Sequence, residues 1–161
     1  MSKSNGNSNE SSQDPPTIST ISVAGFKSIS DEQTIEIRPL TLLAGANSSG
    51  KSSMMQPLLL LKQTLEAQYD PGPLLLNGPN AKFTSVSQFW PLNTRASVST
   101  RFVVTIGLST KTKIGLAFRW DRKQRRLDID YTTYYFGDAG FKLSDETPKS
   151  DLIKFMAHRR N

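Results

Sequence analysis

The chain has 161 residues, the length of a single domain, contains no cysteine and carries a formal net charge of +6. The missing cysteines exclude disulfides, thiolate catalysis and a cysteine-ligated zinc site, and no apolar run approaches the roughly 20 residues that cross a bilayer. We therefore expect a cytoplasmic protein that does not enter a membrane. The charge excess lies in residues 101–161, where thirteen Lys and Arg stand against seven Asp and Glu, so a basic surface is expected there.

The first 16 residues are rich in Ser and Asn and contain hardly any apolar side chain. Such a segment cannot bury enough apolar surface to offset its loss of conformational entropy, and it lacks the features of secretory and transit peptides. We expect residues 1–16 to be a disordered leader, with ordered structure beginning at Thr17.

Three strands are expected before residue 45. The Ile and Val residues among Ser and Thr in residues 17–24 predict a first strand that ends at Gly25, and Gln33–Ile37 predicts a second strand that pairs with it as a hairpin. Leu40–Ala44 is continuously apolar, which is typical of a strand buried on both faces of a mixed or parallel sheet.

A helix is predicted over Ser52–Glu66, a segment rich in helix formers in which Pro57 should introduce a kink. Residues 71–96 contain several Pro and Gly and few apolar side chains, which indicates a long loop with brief strands.

Strict alternation of apolar residues in Val98–Leu108, Ile114–Trp120 and Leu127–Tyr131 predicts three strands of an antiparallel meander. A last short helix is predicted over Leu152–His158, capped by Ser150 or Asp151. We therefore expect an α/β (α+β) protein with one folded unit over residues 17–140 and a tail with a short helix over residues 141–161. The other face of the meander is mostly polar and is formed by Arg101, Thr105, Lys113, Arg119, Asp128, Asp130 and Thr132.

Residues 45–52 satisfy the G-x-x-x-x-G-K-[ST] pattern, with an apolar stretch before it and a helix after it. The glycines let the backbone curl so that its amides point at phosphate oxygens, and the helix N-terminus adds partial positive charge. Lys51 should contact the β- and γ-phosphates, Ser52 should ligate Mg²⁺ and Ser53 should bond the α-phosphate. The predicted ATP- and Mg²⁺-binding residues are Gly45, Ala46, Asn47, Ser48, Ser49, Gly50, Lys51, Ser52 and Ser53.

Residues 21–66 resemble the N-terminal region of ABC-type ATPases of the SMC, RecF and OLD-nuclease group. Gly25–Ile29 is similar to the early strand-turn element of that family, Pro39–Leu43 to the strand before the loop, and Asn47–Ser53 to its phosphate loop. Leu58–Leu65 resembles the helix of a bacterial subgroup associated with antiphage defence. The resemblance implies lobe I of a P-loop NTPase, with a mixed sheet, a P-loop helix and an antiparallel meander.

The same family uses groups that this sequence lacks. No apolar run ends in Asp-Glu to supply a Walker B motif, and the signature motif and switch histidine are also missing. A family glutamine that contacts magnesium and the attacking water has Gln88 as its candidate, by order along the chain alone, and an ordinary loop glutamine is the alternative. We expect an incomplete ATPase that binds ATP but is inactive alone.

By this resemblance, a C-terminal lobe or a second polypeptide would complete the site, and a homodimer would sandwich two ATP molecules. Hydrolysis would then act on a nuclease or another DNA effector. A second interpretation is a non-catalytic nucleic-acid-binding or protein-binding module, with a vestigial loop and the basic C-terminal part as interface. A small complete kinase or GTPase is a third, but the sequence has neither a Walker-B-like strand nor an Asn-Lys-x-Asp motif.

Overall fold

The computed structural model of the protein describes residues 15–47, 49–90 and 101–158. Within these residues the regular structure comprises six strands, two α-helices and one 3-10 helix. The α-helices are α1 (Lys51–Leu65) and α2 (Lys149–His158), and the 3-10 helix spans Val86–Phe89. The strands are β1 (Ile18–Ala24), β2 (Gln33–Glu36), β3 (Arg101–Leu108), β4 (Thr112–Asp121), β5 (Arg126–Phe136) and β6 (Ala139–Leu143).

The strands form one sheet in the order β2-β1-β3-β4-β5-β6. β1 and β2 form the predicted hairpin, and β3, β4 and β5 form the predicted meander, to which β6 adds a strand that the sequence patterns did not predict. The predicted mixed sheet is wrong for the described residues, because all five pairings are antiparallel. The apolar side of α1 joins the core beside β1, so helix and sheet share one hydrophobic core.

Two predictions concern residues outside this description. The predicted leader lies outside it except for residues 15 and 16, and residues 91–100 contain the end of the predicted loop and the start of the first meander strand. Within the described part of that loop, the chain contains an isolated bridge between Asn77 and Lys82 and the 3-10 helix.

The buried strand predicted at Leu40–Ala44 does not form. The segment has no regular structure, and the side chains of Leu40 and Leu42 are 76% and 81% exposed. A strand buried on both faces needs hydrogen-bonded neighbours and covering layers, whereas β2, the nearest strand along the chain, pairs only with β1. The apolar run therefore marks a segment suited to burial, but its partner is not among the described residues.

β5 departs from the predicted alternation at Asp130. The register between β4 and β5 shifts there by one residue, so Asp130 is the extra residue of a β-bulge. Tyr131, expected on the apolar face, instead lies beside Arg101 and Lys142, whose cationic groups are 5.6 and 3.8 Å from its ring centroid. Ile129 was expected on the apolar face as well, yet it remains 45% exposed. The prediction of a single apolar face is therefore wrong for Tyr131, whereas Ile129 pairs with the buried Phe118 and lies on the predicted face although it is partly exposed.

The β4–β5 connection is a tight polar turn, as predicted. The carboxylate of Asp121 accepts hydrogen bonds from the backbone N–H groups of Gln124 and Lys123, at 3.0 and 2.8 Å. These bonds, the one from Gln124 foremost, lower the pKa of Asp121 because they stabilise its charged form.

Phenylalanines from separate segments meet at the centre of the core. The ring centroid of Phe26, just after β1, lies 5.3 Å from those of Phe89 and Phe102 and 6.3 Å from that of Phe83. Phe102 in turn stacks on Phe118 of β4 at 4.9 Å. Such pairs add about 0.5–1.5 kcal/mol beyond the burial of their area. This aromatic cluster joins the sheet to the segment that follows α1.

Gln63 attaches that segment to α1 by hydrogen bonds. Its side chain is 2% exposed, and its Nε2 donates to the carbonyl oxygens of Leu75 and Ala81. Its Oε1 accepts from the backbone N–H groups of Asn80 and Ala81, at 3.1 and 2.8 Å. A Cβ added at Gly78 would lie 2.6 Å from the Gln63 amide carbon, so the chain passes as close to this side chain as a glycine allows. Nothing in the sequence pattern distinguished Gln63 from its polar neighbours.

α2 begins at Lys149, earlier than predicted, so Ser150 and Asp151 lie in its first turn and neither is its N-cap. Phe155 stacks on Phe141 of β6 with ring centroids 4.4 Å apart. The sheet therefore continues through β6 into the region predicted as a tail, and α2 packs on it. Among the described residues, neither α-helix has the length and apolar character needed to cross a membrane.

We expect Gln63→Leu to lower the free energy of unfolding by about 3 kcal/mol, because it leaves buried backbone groups without hydrogen-bond partners. Leucine is similar in size and favours helices, so lost volume and helix propensity contribute little. Gln68→Leu, at an exposed position just after α1, is the control. Urea unfolding followed by circular dichroism measures both variants, and equal effects would show that the Gln63 hydrogen bonds do not stabilise the fold.

Candidate nucleotide-binding site

The predicted phosphate loop lies directly before α1 and is curled at both ends by glycine. Gly45 and Gly50 have φ angles of 154° and 94°, and Gly50 is the N-cap of α1. A Cβ added at Gly45 would come within 2.8 Å of the Ser49 hydroxyl oxygen, and one at Gly50 within 3.1 Å of the Ser28 hydroxyl oxygen. A larger residue at either position would be strained by the positive φ and would have to displace a serine hydroxyl. Ser48 lies outside the described residues.

The N-terminus of α1 offers backbone donors to an anion. Gly50 has no side chain with which to cap the first-turn amides, and the first turn contains no acidic residue. The first helical hydrogen bond runs from the N–H of Met54 to the carbonyl of Gly50, at 2.9 Å. The amides of the first turn and the positive end of the helix dipole therefore meet no carboxylate of their own helix, which favours an external anion.

The ammonium group of Lys51 folds back onto the loop. Its Nζ donates to the carbonyl oxygens of Gly45 and Ala46, at 2.7 and 2.6 Å, and to the hydroxyl oxygen of Ser49 at 3.4 Å. An ammonium has three donors, and all three acceptors are neutral groups of the loop. Phosphate oxygens carry charge and are stronger acceptors than these, so Lys51 can turn to a phosphate without breaking an ion pair.

A cavity of about 340 Å³ opens between the loop and the turn that follows β1. Its described lining residues include two lysines and three serines but no Asp or Glu, which suits an anion rich in oxygen. A second cavity of about 510 Å³ shares Lys51 and Ser52 and adds Lys82, again without a carboxylate. The first cavity is lined by Lys27, Ser28, Asn47, Gly50, Lys51, Ser52 and Ser53.

The two serines after Lys51 have different surroundings. Ser52 is exposed and lines both cavities, so its hydroxyl is accessible to a magnesium ion carried by a nucleotide. Ser53 is 8% exposed, and its hydroxyl accepts a hydrogen bond from Ser28 at 3.3 Å. The part of the chain that the structure describes contains no group of three or more His, Cys, Asp or Glu side chains that could hold a metal ion.

Gln88 does not line either cavity. Its Oε1 accepts hydrogen bonds from the backbone N–H groups of Thr84 and Ser85, at 3.0 and 3.4 Å, while the Ser85 hydroxyl accepts one from Ser87. This reciprocal arrangement is a capping box for the 3-10 helix. The contacts of Gln88 therefore account for its side chain structurally, and its catalytic role stays a prediction.

Lys27 and Ser28 are the cavity residues that sequence reasoning did not include in the site. They form the tip of a two-residue turn closed by paired backbone hydrogen bonds between Phe26 and Ile29, at 3.0 and 2.9 Å. The sequence marked this turn only as an element next to a strand. The turn lies beside the loop because Phe26 is buried in the aromatic cluster. Contacts between residues so far apart along the chain cannot be predicted from a local sequence pattern.

The geometry of the loop, α1 and the cavity agrees with a comparison to known families. Residues 17–158 match the family model described as the AAA ATPase domain. No curated protein matches the chain. The match supports ATP binding by a P-loop domain and does not distinguish the SMC, RecF and OLD group from other members. Because it spans the loop, α1, the sheet and α2, the chain belongs to the AAA ATPase domain family.

Proposed function

We propose that this chain binds ATP with magnesium at Gly45–Ser53 and contributes that site to an ABC-type ATPase. The observation that carries the proposal is the cavity at the N-terminus of α1, whose described lining residues include two lysines and three serines but no Asp or Glu, beside a first turn that no side chain caps. A chain of three phosphates bridged to Mg²⁺ matches this set of donors in charge and chemistry. The match to the AAA ATPase domain family supports the same nucleotide.

Each residue of the site has a distinct task in this proposal. Lys51 exchanges its neutral loop acceptors for the β- and γ-phosphate oxygens, Ser52 ligates the magnesium and Ser53 faces the α-phosphate. Asn47 and the other loop residues contribute through their backbone amides. When bound, ATP supplies the phosphoanhydride bond and Mg²⁺ neutralises its developing charge. The residues of this chain bind the nucleotide and orient its phosphates.

We further propose that hydrolysis needs residues from a C-terminal lobe or a second polypeptide. The sequence contains no Asp-Glu pair after an apolar run, and Gln88 is engaged in capping. The apolar segment Leu40–Ala44 supports the need for a partner, because Leu42 and Leu43 are exposed and line a cavity of about 310 Å³ with Ile29, Ile35 and Met54. An apolar surface of this kind beside a phosphate loop is suited to burial by further structure.

The assembly in which this site works is proposed from family resemblance alone. A homodimer that sandwiches two ATP molecules, a DNA or nuclease effector, and a role in antiphage defence are all consistent with an SMC, RecF or OLD-like protein.

The alternative of a basic nucleic-acid-binding or protein-binding module draws less support from the sheet. Arg101 and Arg119 both pair with the carboxylate of Asp130, at 2.6 and 2.9 Å, and Arg126 pairs with Asp128 at 3.0 Å. The two carboxylates therefore offset part of the charge of these three arginines that a phosphate backbone would use.

We expect Lys51→Ala to weaken binding of a fluorescent ATP analogue, in the presence of magnesium, at least tenfold, since charge-assisted contacts contribute about 1.5–3 kcal/mol each. Unlabelled ATP should compete better than GTP, and phosphate release by the chain alone should be negligible. Lys62→Ala is the matched control, because Lys62 lies on the same helix, pairs with Glu66 and does not line the cavity of the loop. Strong ATP turnover by the isolated chain would contradict the need for a partner. Tight binding of the ATP analogue by Lys51→Ala would contradict the proposal that ATP binds at this loop.

We expect Asp130→Asn to leave ATP affinity unchanged, because Asp130 lies on the sheet and not among the cavity residues. The same change frees Arg101 and Arg119, so any affinity for duplex DNA should rise at low salt and fall as salt is added. Fluorescence anisotropy with and without ATP measures both. If the unmodified chain binds DNA tightly and independently of ATP, with a steep loss in salt, the binding module is the better description.

A further inference from the structure

An aromatic ring is exposed on the face of the sheet that is opposite to the core. Tyr135 of β5 pairs in register with Lys113 of β4, which stands three residues before the core-facing Leu116, so both side chains lie on the opposite face. Tyr135 is 41% exposed. A Cβ added at its other register partner, Gly140 of β6, would lie 2.8 and 2.9 Å from two carbons of the tyrosine ring. The ring therefore lies above the backbone of β6, and part of its surface is open to solvent.

A second tyrosine and two lysines share this face with Tyr135. Tyr131 lies four residues earlier on β5, about 13 Å along the strand, and the Nζ of Lys142 is 3.8 Å from its ring centroid. Lys113 and Lys142 are both exposed, and within the described ranges neither forms an ion pair with a carboxylate. Their charge is therefore available to an anion that reaches the rings.

The composition of this surface fits a nucleic acid better than a protein partner. Protein interfaces have an apolar core, whereas Tyr135 is flanked on this face by Lys113, Thr133 and Gly140. An open aromatic ring with cations beside it is instead the combination that binds single strands, because a base can stack on the ring while the cations attract the phosphates. In a duplex the bases are already stacked on one another, so the single strand is the form that can use the ring.

We propose that this face of the sheet binds single-stranded nucleic acid, with a base stacked on Tyr135 and the phosphates held by Lys113 and Lys142. The inference goes beyond the proposed ATP site and does not rest on it, since none of these three residues lines the cavities at the loop. Arg101 and Arg119 lie further along the same face and share one carboxylate, so together they add one net charge. DNA and RNA offer the same base and phosphate chemistry, and the experiment compares them.

The experiment measures the fluorescence anisotropy of labelled oligothymidylate, oligouridylate and a duplex DNA of the same length, each titrated with the full chain. Tyr135→Thr removes the ring and keeps a residue that favours strands, Tyr135→Phe keeps the ring, and Lys113→Met removes one charge. Tyr69→Thr and Lys62→Met are the matched controls, because Tyr69 is 66% exposed in the segment after α1 and Lys62 lies on α1 itself. Circular dichroism verifies that the compared variants are folded.

We expect Tyr135→Thr to weaken binding of the single strands about tenfold at every salt concentration, as for the loss of one stacked base. Tyr135→Phe should stay within about threefold of the unmodified chain, because the ring is kept. Lys113→Met should weaken binding most at low salt and reduce the slope of log affinity against log salt by about 0.7. The two controls should bind as the unmodified chain does, and duplex DNA should bind more weakly than the preferred single strand. A difference between oligothymidylate and oligouridylate would identify the preferred sugar and support the inference.

The inference is overturned if the unmodified chain binds neither single strand, or if duplex DNA binds as tightly as the preferred one. It is also overturned if folded Tyr135→Thr binds the single strands as the unmodified chain does. Should Tyr135→Thr not fold, Lys113→Met decides, because an unchanged affinity and salt slope would then overturn the inference. Failure of the ATP site looks different, since it affects binding of the ATP analogue and leaves binding of the oligonucleotides as it is.

Discussion

The burial of Phe26 among the other aromatic rings is the constraint on which the candidate site depends. Phe26 is fully buried against Phe83, Phe89 and Phe102, which come from the segment after α1 and from β3. Because Lys27 follows Phe26 directly and bonds to the backbone of Phe89, the aromatic cluster fixes the turn that faces the loop. Hydrophobic packing thus positions polar groups that have no strong attraction for one another. An anion-binding site needs such packing to hold its cations together, since the cations repel each other when the anion is absent.

The hydrogen bonds of Gln63 on α1 add a polar constraint to the one that the aromatic cluster imposes. The N-terminus of the helix carries the loop, while Gln63 near its other end satisfies the backbone of residues 75–81. That attachment leads the chain to Phe83, which enters the core next to Phe26 and also contacts the ammonium of Lys27. The two ends of α1 are therefore coupled through the segment that the sequence predicted only as a loop. Hydrogen bonds from a buried glutamine side chain can fix a segment that has no regular structure, because they satisfy the backbone donors and acceptors of that segment.

Local patterns predicted what is decided locally. The loop motif, α1, the β1–β2 hairpin and most of the meander follow from glycine placement, helix propensity and period-two alternation. The patterns failed where a distant group decides the outcome. Leu40–Ala44 has the composition of a buried strand but no described partner, and Tyr131 changed face because of the bulge at Asp130. Lys27 lines the cavity beside the loop, and its position follows from the contacts of Phe26 with Phe89 and Phe102, which lie far along the chain.

The partners of the cations distinguish the loop from the sheet. On the sheet, Arg101 and Arg119 share the single carboxylate of Asp130, which compensates one of their two charges. At the cavity, Lys51 is held by carbonyl and hydroxyl oxygens, and Lys27 by a glutamine amide and a phenylalanine ring. Neutral partners fix the position of an ammonium but leave its net charge in place. The two lysines at the cavity therefore keep their full charge, whereas the two arginines of the sheet keep half of theirs, and this difference favours phosphate recognition at the loop.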